Sequence, residues 1–102
     1  MAIRVNSENF DKEVLQSKLP VLVDFYSDSC VPCKMIAPIL CQIESENSDT
    51  LKVVKVNVNY DLDLAEQFDL QTTPTLIYYK NGEEKARHRG AARKDEIEAI
   101  IK

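Results

Sequence analysis

The stretch that most constrains the fold is Val21-Leu22-Val23-Asp24-Phe25-Tyr26. Side chains of a strand alternate between its faces, so a strand with one wet face shows alternating polarity. Here both faces are β-branched, aliphatic or aromatic, and Asp24 is the single interruption. Such a strand needs cover on both sides, which places it in the middle of a sheet between two layers. Asp24 shares its face with Leu22 and Tyr26, and the pattern predicts that it is buried. A buried carboxyl has a raised pKa and can accept a proton near neutrality. The plainer alternative is an exposed polar residue on a strand with one wet face.

The rest of the chain supplies the cover. Residues 3–5 form a short apolar start, and Ser7 is placed to cap a helix over residues 8–16 with Phe10, Val14 and Leu15 turned inward. Pro20 stops that segment. From residue 33 to about 47, Ile36, Ile39, Leu40 and Ile43 fall at i, i+3, i+4 and i+7, predicting a helix that Pro38 should kink. Residues 51–58 read as a strand, 62–68 as a short helix, 75–79 as a strand and 84–89 as a more polar one. Asn81-Gly82 between the last two predicts a tight hairpin, because a two-residue turn requires positive φ. Ile97, Ile100 and Ile101 mark a terminal helix, with Asp95 and Glu96 near its positive end. The order β-α-β-α-β-α-β-β-α predicts an α/β fold, a three-layer α/β/α sandwich around a central mixed sheet. Its alternating first part calls for parallel strands with right-handed crossovers, and the hairpin adds an antiparallel edge.

At 102 residues the chain fits a single domain over 1–102, since a division would leave pieces too small to bury useful cores. Thirteen Lys and Arg against seventeen Asp and Glu leave a net charge of -4, which argues against nucleic acid as a partner. No apolar run approaches the ~20 residues of a membrane-spanning helix. The first ten residues are largely polar, without the hydrophobic stretch of a leader, so a cytoplasmic location is expected. Two glycines and four prolines exclude low-complexity readings.

Three cysteines are too few, and odd in number, for a secreted disulfide framework. Cys30 and Cys33 lie two residues apart, where the buried strand ends and a helix begins. Unpaired N–H groups and the positive end of the helix dipole favour a thiolate at Cys30, and Lys34 adds a positive charge. Cys33, one turn further on and more buried, is positioned to attack a mixed disulfide. Pro32 is tolerated in a first turn and stiffens the loop. The competing reading is half of a zinc site, which needs four ligands. Cys41 is eight residues past Cys33, roughly 12 Å along a helix, and His88 belongs to a late edge strand. Redox chemistry is therefore preferred, with no metal. Cys41 falls off the apolar stripe and reads as an exposed residue, and His88 as a surface one. Lys55, a charge in the middle of its strand, is either a partner for Asp24 or an ordinary surface lysine.

Residues 21–40, VLVDFYSDSCVPCKMIAPIL, resemble the heart of a thioredoxin. Thr73-Pro74-Thr75 is similar to that family's cis-proline motif, Lys80-Asn81-Gly82 to its hairpin, and Gly90 to a glycine beside its active site. The resemblance spans essentially the whole chain. It implies the thioredoxin fold and a protein-disulfide reductase. Cys30 would be the attacking thiol, Cys33 the resolving thiol and Asp24 the buried base serving Cys33. Pro74 would be cis, and Thr73 would offer backbone hydrogen bonds to an extended substrate segment; nothing local shows the isomer. Three positions depart from the family pattern. Ser29 stands where tryptophan usually precedes the first cysteine, Val31 replaces a glycine between the cysteines, and Tyr26 holds a position that is often tryptophan.

The expectation is a small cytoplasmic monomer that reduces disulfides in other proteins and is recharged by a disulfide reductase. The two sulfurs carry both electrons, so no bound cofactor is called for. Two rivals stand beside it: a disulfide oxidase or isomerase on the same fold, and a binding module that holds partners without turnover.

Overall fold

The computed structural model describes residues 3–70 and 72–101. In it the strand Val21–Tyr26, here β2, is the third of five strands in one sheet. The others are β1 (Ile3–Arg4), β3 (Lys52–Asn57), β4 (Thr75–Lys80) and β5 (Glu83–Arg89), in the order β1-β3-β2-β4-β5. β1, β3 and β2 run parallel, with Ile3 opposite Val54 and Asp24 opposite Lys55. β4 enters antiparallel to β2, and β5 pairs antiparallel with β4. The mixed sheet and its antiparallel edge agree with the sequence. That β4 already runs antiparallel to the centre is additional, because the segment joining β3 to β4 does not form a parallel crossover.

Strand alternation sorts the core into two clusters, one on each face of the sheet. Val21, Val23 and Phe25 of β2 join Val54, Val56, Ile77 and Tyr79 on one face, beneath Phe10, Val14 and Leu64. Leu22 joins Val53, Leu76 and Tyr78 on the other, beneath Ile36, Leu40, Ile43 and Ile97. The latter four come from α1 (Val31–Glu46) and α3 (Lys94–Ile100); Leu64 belongs to α2 (Leu62–Gln67). All five residues from Val21 to Phe25 are buried, Asp24 among them at 2% exposure. By alternation Asp24 lies on the Leu22 side, beneath α1.

Several local expectations shift. The first helix is a five-residue π-type segment, Asp11–Leu15, closed by a bond from the Gln16 N–H to the Asp11 carbonyl. Its approach is capped by Asn6 and not by Ser7. Asn6 Oδ1 accepts the N–H groups of Glu8 and Asn9 at 2.9 and 3.3 Å. The Ser7 N–H donates to the Asp61 carboxylate at 3.1 Å. Phe10 and Val14 occupy the inner face, so Leu15, one residue further round, is exposed. α1 starts two residues earlier than the apolar periodicity indicates and continues unbroken through Pro38 to Glu46. At the hairpin Asn81 and Gly82 both have positive φ, 55° and 79°. A Cβ on Gly82 would lie 2.8 Å from the Leu15 carbonyl oxygen, so glycine is required there for space as well as for its backbone.

Candidate active site at the end of the central strand

β2 ends at Tyr26, and three residues, Ser27, Asp28 and Ser29, carry the chain to the start of α1. Cys30 is the N-cap of that helix, with extended backbone at φ −89° and ψ 109°. N-caps are usually oxygen-bearing side chains that take a first-turn N–H. Here the Cys30 Sγ does so, accepting the Cys33 N–H at 3.1 Å. Pro32 lies in the first turn, where a missing N–H leaves no helical hydrogen bond unmade. Cys30 and Cys33 are joined as a disulfide, with Cα atoms 5.2 Å apart. Their exposures are 8% and 5%, so burial separates them less than the sequence suggests. Position separates them: one sulfur faces the N–H groups of the helix end, and the other belongs to a side chain inside its first turn.

A cavity of about 190 Å³ lies beside the disulfide, lined by Asp24, Cys33, Lys34, Ala37 and Lys55, among others. Asp24 reaches it from beneath the helix. Its Oδ1 has no hydrogen-bond partner among the described residues. Burial pushes the Asp24 carboxyl up to about 7, and the Lys55 ammonium across the strand ladder opposes the rise. Lys55 lines the same cavity as Asp24, and its Nζ is 6.0 Å from the centre of the Tyr26 ring. Lys34 is exposed and lines the cavity alongside Cys33 and Asp24. Val31 and Ser29 form an open rim, Val31 at 64% exposure.

Across from the rim, the Thr73–Pro74 peptide bond is cis. The Gly90 N–H donates to the Pro74 carbonyl at 2.8 Å, and Gly90 has φ +89°. The Thr73 and Ser27 hydroxyls are 3.3 Å apart. The loops bearing Ser27–Ser29, Thr73–Pro74 and Gly90 therefore meet at the same end of the sheet. Cys41 lies exposed on α1 as a free thiol, and the His88 Nε2 is 3.0 Å from the Ala91 carbonyl oxygen. Among the described residues no group of three His, Cys, Asp or Glu side chains is arranged to hold a metal ion.

Sequence reasoning passed over Asp28, Asn57 and Asn59. The Asp28 N–H donates to Asn59 Oδ1 at 2.8 Å, Asn57 Nδ2 donates to Asp28 Oδ1 at 2.9 Å, and the Asn59 N–H donates to Asn57 Oδ1 at 2.9 Å. The available signal was the polar pair Asn57 and Asn59 closing an otherwise apolar strand, a pattern common to side chains that fold loops back on themselves.

Comparison with known proteins agrees with this arrangement. The family model described as thioredoxin matches residues 1–102. A thioredoxin of Rickettsia felis is 39% identical over 97 residues, covering 95% of this chain and 92% of that protein. Thioredoxin C-2 of Corynebacterium nephridii is 38% identical over 99 residues, covering 97% and 92%. Thioredoxin 1 of Synechococcus elongatus is 42% identical over 83 residues, covering 81% and 78%. With its cysteine pair at the mouth of a helix beside a buried aspartate, the chain belongs to the thioredoxin family of thiol–disulfide oxidoreductases.

Proposed function

We propose that this protein reduces disulfides in other proteins, with Cys30 as the attacking thiol, Cys33 as the resolving thiol and Asp24 as the base for Cys33. The observation that carries this reading is the Cys30 sulfur held as the cap of α1, accepting the Cys33 N–H at 3.1 Å. A cap position offers hydrogen bonding and dipole stabilisation to a thiolate. In the reduced protein the Cys30 thiolate attacks one sulfur of a substrate disulfide. A mixed disulfide forms and the substrate's other sulfur leaves as a thiolate. The Cys33 thiol passes its proton to the Asp24 carboxylate, which lines the same cavity and has a pKa of about 7. The Cys33 thiolate then attacks Cys30 Sγ, and the substrate's second sulfur leaves. Two electrons have passed to the substrate, and the Cys30–Cys33 disulfide remains.

Lys34 and Lys55 bring positive charge to that cavity, and Pro32 and Val31 shape the loop between the sulfurs. Thr73, Pro74, Gly90 and Ser29 border the surface where an extended substrate segment would lie. A disulfide reductase must return the two electrons, most naturally in the cytoplasm, where thiols are kept reduced. The test is insulin reduction followed by turbidity with dithiothreitol as the electron source. Acceleration is expected; none at all would leave only a binding module. The reduction potential separates reductase from oxidase. Reducing members of this fold poise at about −270 mV and a strong oxidant at about −120 mV, and a value toward the former is expected.

A further inference from the structure

The loop that delivers Cys30 is tied down on one side much more firmly than on the other. Within the loop, the Cys30 N–H reaches the Ser27 carbonyl at 3.4 Å, and toward Pro74 the Ser27 and Thr73 hydroxyls are 3.3 Å apart. Both distances lie beyond the usual range for strong hydrogen bonds. On the β3 side the Asp28 N–H, the Asp28 carboxylate and the Asn59 N–H make three bonds of 2.8 to 2.9 Å with Asn59 and Asn57. One of the three is charge-assisted. Asn57 is 8% exposed and anchored at the end of β3, where it pairs with Tyr26 of β2. The triangle therefore couples a rigid, buried point of the sheet to the residue two before Cys30.

We propose that Asp28, Asn57 and Asn59 form a brace that positions Cys30 relative to the Thr73–Pro74 loop, and that this positioning serves protein disulfides more than small ones. The inference rests on the reductase reading above. A small disulfide needs only to meet the Cys30 sulfur. An extended protein segment must meet the sulfur and the backbone at Thr73 together, so an error in their relative placement is felt in full. These are positioning residues; none of the three is assigned contact with the reacting sulfurs.

The experiment uses the full chain and compares insulin with dithiobis(2-nitrobenzoate), each reduced by fully reduced protein. Asp28→Ala and Asn59→Ala remove one acceptor each at exposed positions, whereas Asp28→Asn and Asn59→Asp keep an oxygen in place. With either alanine variant, the second-order rate constant for insulin should fall about tenfold and that for the small disulfide by no more than about twofold. The ratio of the two rates should thus move at least about fivefold, and both conservative variants should restore most of it. Equal losses on both substrates would reduce the triangle to a purely structural element. Failure of Asn59→Asp and Asp28→Asn to rescue, or no change in any variant, would also overturn the proposal. Wild-type inactivity toward both disulfides would instead reject the reductase reading, so the two failures are distinguishable.

Discussion

Cys30 and Cys33 are nearly equally covered in the oxidised state, at 8% and 5% exposure, so accessibility alone does not assign their roles. Their surroundings differ more. Cys30 Sγ takes a backbone N–H at the helix start, and Cys33 borders the cavity that holds Asp24. Stabilisation of a thiolate at the cap predicts that only Cys30 attacks an outside disulfide at a useful rate. Cys33→Ser should therefore trap partner proteins as mixed disulfides from a cell lysate, and Cys30→Ser should trap few and reduce nothing. Mass spectrometry of the captured species reads the outcome. Equal trapping by both variants would remove the division of labour.

At the scale of elements, the β4–β5 turn and the start of α1 each make a local demand. Gly82 has φ +79° and no room for a Cβ against the Leu15 carbonyl. Gly82→Ala combines backbone strain with a steric clash, and we expect a loss of about 2 kcal/mol. In a chain of this size that lowers the thermal midpoint by roughly 8–16 °C. At the start of α1, Ser29 and Val31 alter the rim and leave the cap intact. Ser29 lacks the apolar area that a flat aromatic would present, and Val31 adds a β-branched side chain where glycine would admit a partner's backbone. Reaction with small disulfides should stay near normal, while a generic NADPH-dependent thioredoxin reductase should couple poorly. A Ser29→Trp, Val31→Gly double variant should raise the coupled rate with that reductase. Full coupling by the wild type, or no gain in the variant, would place partner selectivity elsewhere.

For the molecule as a whole, the main electrostatic burden is one carboxyl in the centre of the sheet. Asp24 has a folded pKa of about 7 against an ordinary value of 3.8. Below pH 4 it is protonated in both folded and unfolded chains and costs nothing through ionisation. Between pH 4 and 7 the unfolded chain releases the proton while the folded one keeps it, so stability falls as pH rises. Above pH 7 the full cost stands, on the order of 4 kcal/mol. Asp24→Ala should therefore raise the urea midpoint, more at pH 8 than at pH 4, and on its proposed role as the base for Cys33 its loss should slow turnover near neutrality. Urea titrations at both pH values check this. A lowered midpoint at pH 8 would make Asp24 a structural residue in place of a burdened base.

Most elements were legible because their signals are local. The apolar run at Val21–Tyr26, the i, i+3, i+4 spacing from Ile36 to Ile43 and the turn at Asn81-Gly82 depend on residues a few positions apart. The burial of Asp24 was legible for the same reason, through neighbours on its own face. Chain-distant relations were not. Nothing near residue 75 states that β4 will run antiparallel to β2, because that direction follows from how the segment joining it to β3 packs. Asn6 makes the capping bonds expected of Ser7, and the Ser7 N–H donates to Asp61, 54 residues away. The cis geometry at Pro74 and the contact of Gly90 with it were expected only through family resemblance. Asp28 finds Asn57 and Asn59 roughly thirty residues on, in a neighbouring strand and its following loop. By itself the sequence determined the periodic elements and the cysteine pair at the end of a buried strand. Which polar groups satisfy one another around that pair was decided by tertiary structure, since hydrogen bonds between distant segments exist only after the sheet has brought its strand ends together.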